Sequence, residues 1–344
     1  MGMKAWRVTR YGTPREVLQL DDVETPEAAA GELLVRVSSV TLNFNDLDGI
    51  YGRYKTVPVP VPYTPGMEVL GRVVAAGSGA EPWIGKRVVA IPSGAHGGYA
   101  EFATAPAGMA FEMPDDLAEP GAAAVFMPFH LAYLALYERA RIHRGQTLLV
   151  HAAAGGAGSA ALQLGVHAGA RVFATAGTPE KRELCRELGA QTVVDYRNED
   201  FAAAVLEATD GRGVDVAFDT IGGEVTRNTF RCMAFNGRHV IAGFASGIEQ
   251  EDEGIVPRPV LFGNFDLVGV CHAYVDDPIA FKRDTTFNFP AHRDGERVHA
   301  ELLDLVRAGS IRPIVGRELA FADLPEGLAA LERRETIGRV VVRV

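Results

Sequence analysis

Three glycines, Gly155, Gly156 and Gly158, stand between an apolar run (Leu148, Leu149, Val150) and a small-residue segment that leads to a second apolar run, Val172 to Ala176. This order predicts strand, tight turn, helix, strand, as a βαβ dinucleotide site requires. Glycine at a helix start lets the backbone approach a pyrophosphate, whose charge the helix N-terminus favours. The tip of the second strand decides which dinucleotide. An acid there would hydrogen-bond the ribose 2′-hydroxyl and repel a 2′-phosphate. Here the strand ends in Gly177-Thr178-Pro179, Lys181 and Arg182 follow, and Tyr196-Arg197 follows the next strand. The two cations beside Glu180 could equally be a solvated helix face, but small residues and positive charge at this corner suit a 2′-phosphate and predict NADPH. Two later turns, Thr220-Ile221-Gly222-Gly223 and Gly243 to Gly247, follow predicted strands. They are either ordinary glycine-rich turns or the lining of the ribose and nicotinamide site; their place at strand ends favours the second.

These residues must be positioned by a domain of alternating strands and helices. The segments TLLVHA, RVFATA, TVVDY, VDVAFDT, RHVIAGF and DLVGV read as strands, with helices such as TPEKRELCRELGA, ending at Gly189, between them. The first 120 or so residues differ. MKAWRVTRYG, LLVRVSSVTLN, EVLGRVVAAGSG and GKRVVAIPSG are short apolar or alternating runs punctuated by Gly and Pro, which suggests a partly closed β-barrel. The proline-rich 57–66 reads as an extended loop, and AAAVFMPFHLAYLALYERA as helix with a kink or break at Pro128. The C-terminal part adds the helices RVHAELLDLVRAG and AALERRE and a final strand, GRVVVRV. The expected fold class is therefore α/β. A Rossmann doubly wound parallel sheet at 126–265 is inserted in a β-rich domain built from 1–125 and 266–344.

A chain of 344 residues suits two domains. Its net charge of −10 argues against a general nucleic-acid or anionic-membrane binder. Cys185, Cys232 and Cys271 are scattered and form no CxxC pair, so a disulfide framework is not expected. With neither a signal-peptide core at the N-terminus nor an apolar run long enough to span a membrane, a cytoplasmic protein is expected. The run EQEDEG (249–254) reads as a solvated loop.

HAAAGGAG followed by LQL, the lysine of GTPEK, and DYRNEDF resemble the NADPH:quinone oxidoreductases of the medium-chain dehydrogenase/reductase superfamily, the zeta-crystallin-like branch. The likeness extends over MKAWRVTRYG, TLNFNDLDGIYGRY, PYTPGMEVLGRVVAAG, GGYAEF and IGRVVVRV. The resemblance implies a GroES-like domain around the Rossmann domain, a cleft between them, and a homodimer formed largely through the cofactor domains. It implies that Gly177, Lys181 and Tyr196 hold the 2′-phosphate and that Phe44, Asn45 and Asp46 lie beside the nicotinamide. Gly156, Ala157, Ile221, the turn Ala242, Gly243, Phe244, Ala245 (with Ser246 next to it) and Arg334 fall at other cofactor positions. Asn43 and Tyr54 fall where the family meets its substrate. This chain departs from the family pattern at Ala157 (usually Val), at Leu131 (a Thr near the nicotinamide), and at Asp48 and Ile50.

The zinc enzymes of that superfamily need Cys and His ligands for a Lewis-acid Zn²⁺. Here Gly66-Met67-Glu68 replaces their GHE motif, Asn43 lies near the place of their first Cys, and no Cys precedes 185. His96, His130, His143 and His151 lack ligand spacing and read as surface or packing residues. No metal is expected, so the acceptor must be electrophilic by itself: a quinone, or an α,β-unsaturated carbonyl (2-alkenal, enone or enoyl thioester). Asn43 or Tyr54 could stabilise oxyanion charge, and Tyr54 could relay a proton or be a packed loop aromatic. A non-catalytic NADPH-binding protein of crystallin type is the remaining alternative.

Overall fold

The computed structural model describes residues 2–55, 57–250 and 254–344. The charged run expected to be a solvated loop, 249–254, lies largely outside them. The chain forms two compact units: Met1–Phe126, Ala273–Ala300 and Pro313–Val344 make the first, Met127–His272 and Glu301–Arg312 the second.

In the first unit the alternating runs form β1 (Gly2–Val8), β2 (Leu18–Glu24), β3 (Glu32–Thr41), β4 (Val69–Ala76), β5 (Arg87–Ala90), β6 (Phe102–Pro106) and β7 (Ala110–Glu112). Strand β3 explains the architecture. Leu33, Val35 and Val37 alternate inward over its first half, as a one-sided strand demands, and Val40 joins them in the core. It is long enough to pair antiparallel with both β4 and β6. The 57–66 segment contributes no strand beyond single bridges such as Val8 to Tyr63. That agrees with its prolines, which cannot donate to a ladder.

The second unit holds β8 (Thr147–Val150), β9 (Arg171–Thr175), β10 (Thr192–Val194), β11 (Val214–Asp219), β12 (Met233–Ile241) and β13 (Asp266–Gly269). All pair in parallel, in the order β10-β9-β8-β11-β12-β13. This is the doubly wound order, reversing between β8 and β11. Every residue of β8 and of β11 is buried, as continuous apolar runs in a sheet covered on both faces should be. The Thr178 hydroxyl caps the Pro179–Glu187 helix by accepting from Lys181 N (3.3 Å). Gly189 follows with φ +100° and ends it.

The chain then returns to the first unit with β14 (Val315–Ala320) and β15 (Arg339–Arg343). The first unit's main ladder runs β14-β15-β3-β4-β5-β7, with β6 as a further partner of β3. It is an open, branched path rather than a ring.

Two sequence expectations change. The boundary at 265 falls short, because β13 pairs with β12 and so belongs to the parallel sheet. The chain re-enters the first unit only at Ala273, and Glu301–Arg312 returns to the second. There Gln163 fastens it: its side chain donates to Arg312 O (3.0 Å) and accepts from Arg312 N (2.8 Å). Pro128 does not kink a helix. A 3-10 turn, Ala122–Ala124, precedes the Phe126–Tyr133 helix, and Pro128 lies in that helix's first turn, where a missing N–H costs nothing.

Leu149 on β8 is fully buried against Phe173, Val205 and Ala217. Leu149→Ala is expected to destabilise the second unit by about 2–5 kcal/mol, read as a lowered midpoint in urea unfolding followed by circular dichroism.

Candidate cofactor and acceptor sites

Ligands of a doubly wound sheet bind at the carboxyl ends of the strands where the order reverses. In the second unit this place is flanked by two turns. After β8 the chain passes through Ala152, a non-glycine residue at φ +47°, to Gly155, the N-cap of the Gly156–His167 helix. No side chain caps this helix, so its first N–H groups lack an intrahelical or side-chain acceptor. A Cβ on Gly158 would lie 2.2 Å from Ala152 O. Only glycine allows the helix to start this close to the turn. An uncapped helix start pressed against a glycine turn fits a pyrophosphate.

The next corner fits a further phosphate. A Cβ on Gly177 would fall 2.7 Å from Arg197 Nε and 3.0 Å from Tyr196 Oη, so the polar ends of these two side chains lie directly over the glycine. The Lys181 backbone sits in the adjoining helix's first turn. Arg182 belongs to the structure instead. It forms a 2.6 Å ion pair with Asp195, both side chains largely buried, and Asp195 also accepts from Arg197 N (3.2 Å) and Asn198 Nδ2 (3.1 Å). Of the two cations expected here Arg182 is committed to Asp195. Arg197, read with Tyr196 as part of the same basic corner, is the cation whose side chain lies over Gly177.

The turns after β11 and β12 lock together. Ala245 N donates to Thr220 O (3.1 Å) and Ser246 N to Ile221 O (2.9 Å). Ile221, Ala242, Gly243 and Ala245 are half-buried, and the Phe244 ring is 46% exposed. Sequence reasoning passed over Asp219, the last residue of β11 and 1% exposed. An acid ending an otherwise apolar strand just before Thr-Ile-Gly-Gly was its signal. Burial pushes its carboxyl up, but His239, His151 and Thr226 outweigh this and hold it well below the usual range. His151 is a packing histidine: 2% exposed, its Nε2 2.9 Å from Thr229 Oγ1 and its Nδ1 3.2 Å from Thr175 Oγ1. Thr229 spends its own proton on Val225 O (2.7 Å). His151 therefore donates from Nε2 and accepts from Thr175, a neutral tautomer consistent with burial holding its pKa down to about 4.

In the first unit Asn43 caps the Phe44–Tyr51 helix. Phe44 is half-buried, Asn45 is exposed, and Asp46 is turned inward. The Asp46 carboxylate accepts from Tyr99 Oη (2.6 Å), Asn43 N (3.0 Å) and Gly66 N (3.1 Å). These bonds of the Asp46 side chain all run to its own unit. Asn43 is similarly engaged. Its Oδ1 accepts from Arg339 (2.8 Å) and its Nδ2 donates to Thr41 O (3.3 Å), while Arg339 also bonds Glu68 and Thr41. Tyr54 is half-buried and donates to Asn45 O (3.2 Å). Arg334 lies exposed in this unit at φ +57°.

A catalytic zinc does not fit here. Met67 offers no imidazole, and Glu68 is hydrogen-bonded to Arg339 and Thr41. Among the described residues no group of three or more His, Cys, Asp or Glu side chains could hold a metal ion.

Residues 29–115 match the alcohol dehydrogenase GroES-like domain, and residues 156–281 the domain described as zinc-binding dehydrogenase. The chain is 34% identical to the quinone oxidoreductase-like protein 2 homolog of Nematostella vectensis, over 78% of this chain and 73% of that protein. It is 37% identical to part of the phthioceranic/hydroxyphthioceranic acid synthase of Mycobacterium tuberculosis, over 64% of this chain and 11% of that much longer protein. A mycobacterial protein, Rv1454c, solved in complex with NADPH superposes with a TM-score of 0.86 at 32% identity, covering 99% of this chain and 100% of the other.

Burial raises the Asp46 carboxyl to about 6 against the pull of its hydrogen bonds. The folded state thus binds this proton more tightly than the unfolded chain, in which the pKa is near 3.8. The corresponding stability is present below pH 4 and is lost as pH rises through 6. The stability difference between the wild type and Asp46→Asn should shrink across that window by up to about 3 kcal/mol, read as paired thermal melts at pH 4, 5, 6 and 7.

Proposed function

We propose that this chain, which belongs to the quinone oxidoreductase family of the medium-chain dehydrogenase/reductase superfamily, reduces quinones with NADPH and without a resident metal. It is an oxidoreductase, and NADPH is its cofactor. The observation that carries the NADPH part of the reading is the gathering of Tyr196 Oη and the Arg197 guanidinium over Gly177, with no acid at the strand tip.

NADPH, when bound, supplies a hydride from its nicotinamide. The chain's own residues hold and orient. The uncapped helix start after Gly155, with Gly156, Ala157 and Gly158, takes the pyrophosphate. Gly177, Lys181, Tyr196 and Arg197 take the 2′-phosphate. Ile221 and the Ala242–Ala245 turn line the rest of the site, with Phe44, Asn45 and Arg334 as further cofactor contacts. Asn43 and Tyr54 serve the acceptor. With the Asn43 amide held by Arg339 and Thr41, we assign Tyr54 Oη, which donates to Asn45 O at 3.2 Å, to give a proton or steady an oxyanion.

A second reading, reduction of an enoyl thioester, enone or 2-alkenal, is supported by the match to part of a fatty-acid-type synthase. The protein should oxidise NADPH, followed by its absorbance, with phenanthrenequinone faster than with an enone or a short enoyl-CoA. Preference for the enoyl thioester would replace the first reading by the second, and inactivity with all three would sink both.

A homodimer formed through the second units completes the proposal. Strand β13 is one edge of the parallel sheet; Leu261 and Phe262, shortly before it in sequence, and Phe235, on the neighbouring β12, are about 70% exposed, an arrangement that otherwise invites aggregation. Phe262→Glu should shift the mass measured by light scattering from dimer to monomer. No helix among the described residues is long and apolar enough to cross a membrane, consistent with the proposed cytoplasmic location.

Gly177→Asp would place a carboxylate within reach of Arg197. It should weaken NADPH binding by at least about tenfold while changing NADH binding much less, as measured by titrating the nicotinamide fluorescence of each cofactor.

A further inference from the structure

The Ile221–Gly222 turn has an unusual backbone. Gly222 adopts φ +80°, ψ −170°, a region open essentially to glycine alone, and Gly223 follows at φ +58°. Such a conformation persists only where the surroundings over-determine it, and here two side chains do so. From within, Asp219 Oδ1 accepts from Ile221 N (2.8 Å) and Gly222 N (3.1 Å). Its other oxygen accepts from Thr226 Oγ1 (2.5 Å) and lies 3.3 Å from His239 Nε2. Opposite these N–H groups, Ser246 Oγ donates to Ile221 O (2.8 Å) and approaches Gly222 O (3.3 Å). Both amides thus go to the Asp219 side chain, and both carbonyls meet Ser246, Ile221 O through its backbone N–H (2.9 Å) as well as its hydroxyl. A Cβ on Gly222 would meet Phe244 Cα at 3.3 Å, so the turn is also seated against the neighbouring one.

The consequence for binding is specific. With its N–H and C=O groups taken, Ile221 can offer a cofactor its apolar side chain but no backbone hydrogen bond. The single Ser246 hydroxyl proton is spent as well. We propose that Asp219 and Ser246 are positioning residues for NADPH: they clamp the Ile221–Gly222 turn in its glycine-only conformation and present it as a preformed apolar ledge. Energy that would otherwise go into ordering the turn on binding is then available as affinity. Asp219 is suited to the inner role because a carboxylate has enough lone pairs for all its partners, whereas an amide would turn a donor toward Thr226 or the backbone.

The pair is tested by direct NADPH fluorescence titration, which needs no acceptor and so stands apart from the quinone reading. Ser246 is exposed, so Ser246→Ala should fold normally, with an unchanged melting temperature in the absence of cofactor. Its Kd for NADPH should rise about three- to tenfold, the worth of one hydrogen bond. Ser246→Thr, which keeps the hydroxyl, should restore wild-type Kd. In turnover the loss should appear in KM for NADPH, with kcat and the acceptor KM unchanged. Asp219→Asn should weaken binding in the same way. A wild-type Kd in Ser246→Ala, or a Ser246→Thr protein as impaired as the alanine variant, would overturn the proposal. So would a loss confined to kcat.

Discussion

Strand β8 is hydrogen-bonded on both sides, to β9 and to β11, and what the second unit can bind follows from that pairing. The chain leaves β8 toward β9 and later returns to lie against β8 from the other side. The turns after β8 and β11 therefore diverge at the carboxyl edge instead of covering it. One turn offers an uncapped helix start, the other a glycine-only bend braced by Asp219 and Ser246. The two solve different problems at adjacent places. The first leaves its N–H groups outward to meet charge, and the second turns its own inward so that only a shape is left.

The first unit is organised around burial of charge. Arg339, Glu68 and Asp46 are each less than 10% exposed, and a buried ion is tolerated only when its hydrogen-bonding capacity is met. Arg339 on the C-terminal strand reaches Asn43, Thr41 and Glu68. Asp46 ties the same helix start to Tyr99 and Gly66. The loop carrying Asn43 is thereby fixed from two sides. Around Asn43 and Glu68 the chain has a hydrogen-bonded network centred on Arg339, which leaves Arg339 Nε without a partner among the described residues.

What could be read in the sequence was local. The glycine loop, the six strands of the parallel sheet and the helix ending at Gly189 depend on short-range pattern, and each stands where expected. Strands β2, β6, β7 and β14 went unnoticed: β2 and β14 are largely exposed and β7 has three residues, so none of these three shows a clear alternation. At the sites, residue type identified the chemistry but not its direction. Asp46 and Asn43 were assigned to ligand positions by resemblance, and the pattern did not show that their side chains bond to β15, Thr41, Tyr99 and Gly66. Arg182 and Arg197 look alike on paper. Only the fold of the 195–198 turn assigns one to Asp195 and sets the other against Gly177. The unit boundary failed for the same reason, since pairing with β12, not composition, places β13.

Strand β15 lies between β14 and β3, which bears on the order in which the molecule can assemble as it is made. Residues 32–41 emerge early but cannot complete their ladder until residues 341–343 arrive to pair with them. The whole parallel sheet has emerged by then, needing no strand beyond residue 269. The interior of the chain can thus condense first, from shorter-range contacts, while the earlier-made strands wait with one edge bare. Loop closure over some 300 residues makes that last step slow. The exposed edge of β3 is accordingly the place where a nascent chain of this kind is most open to mispairing or to a chaperone.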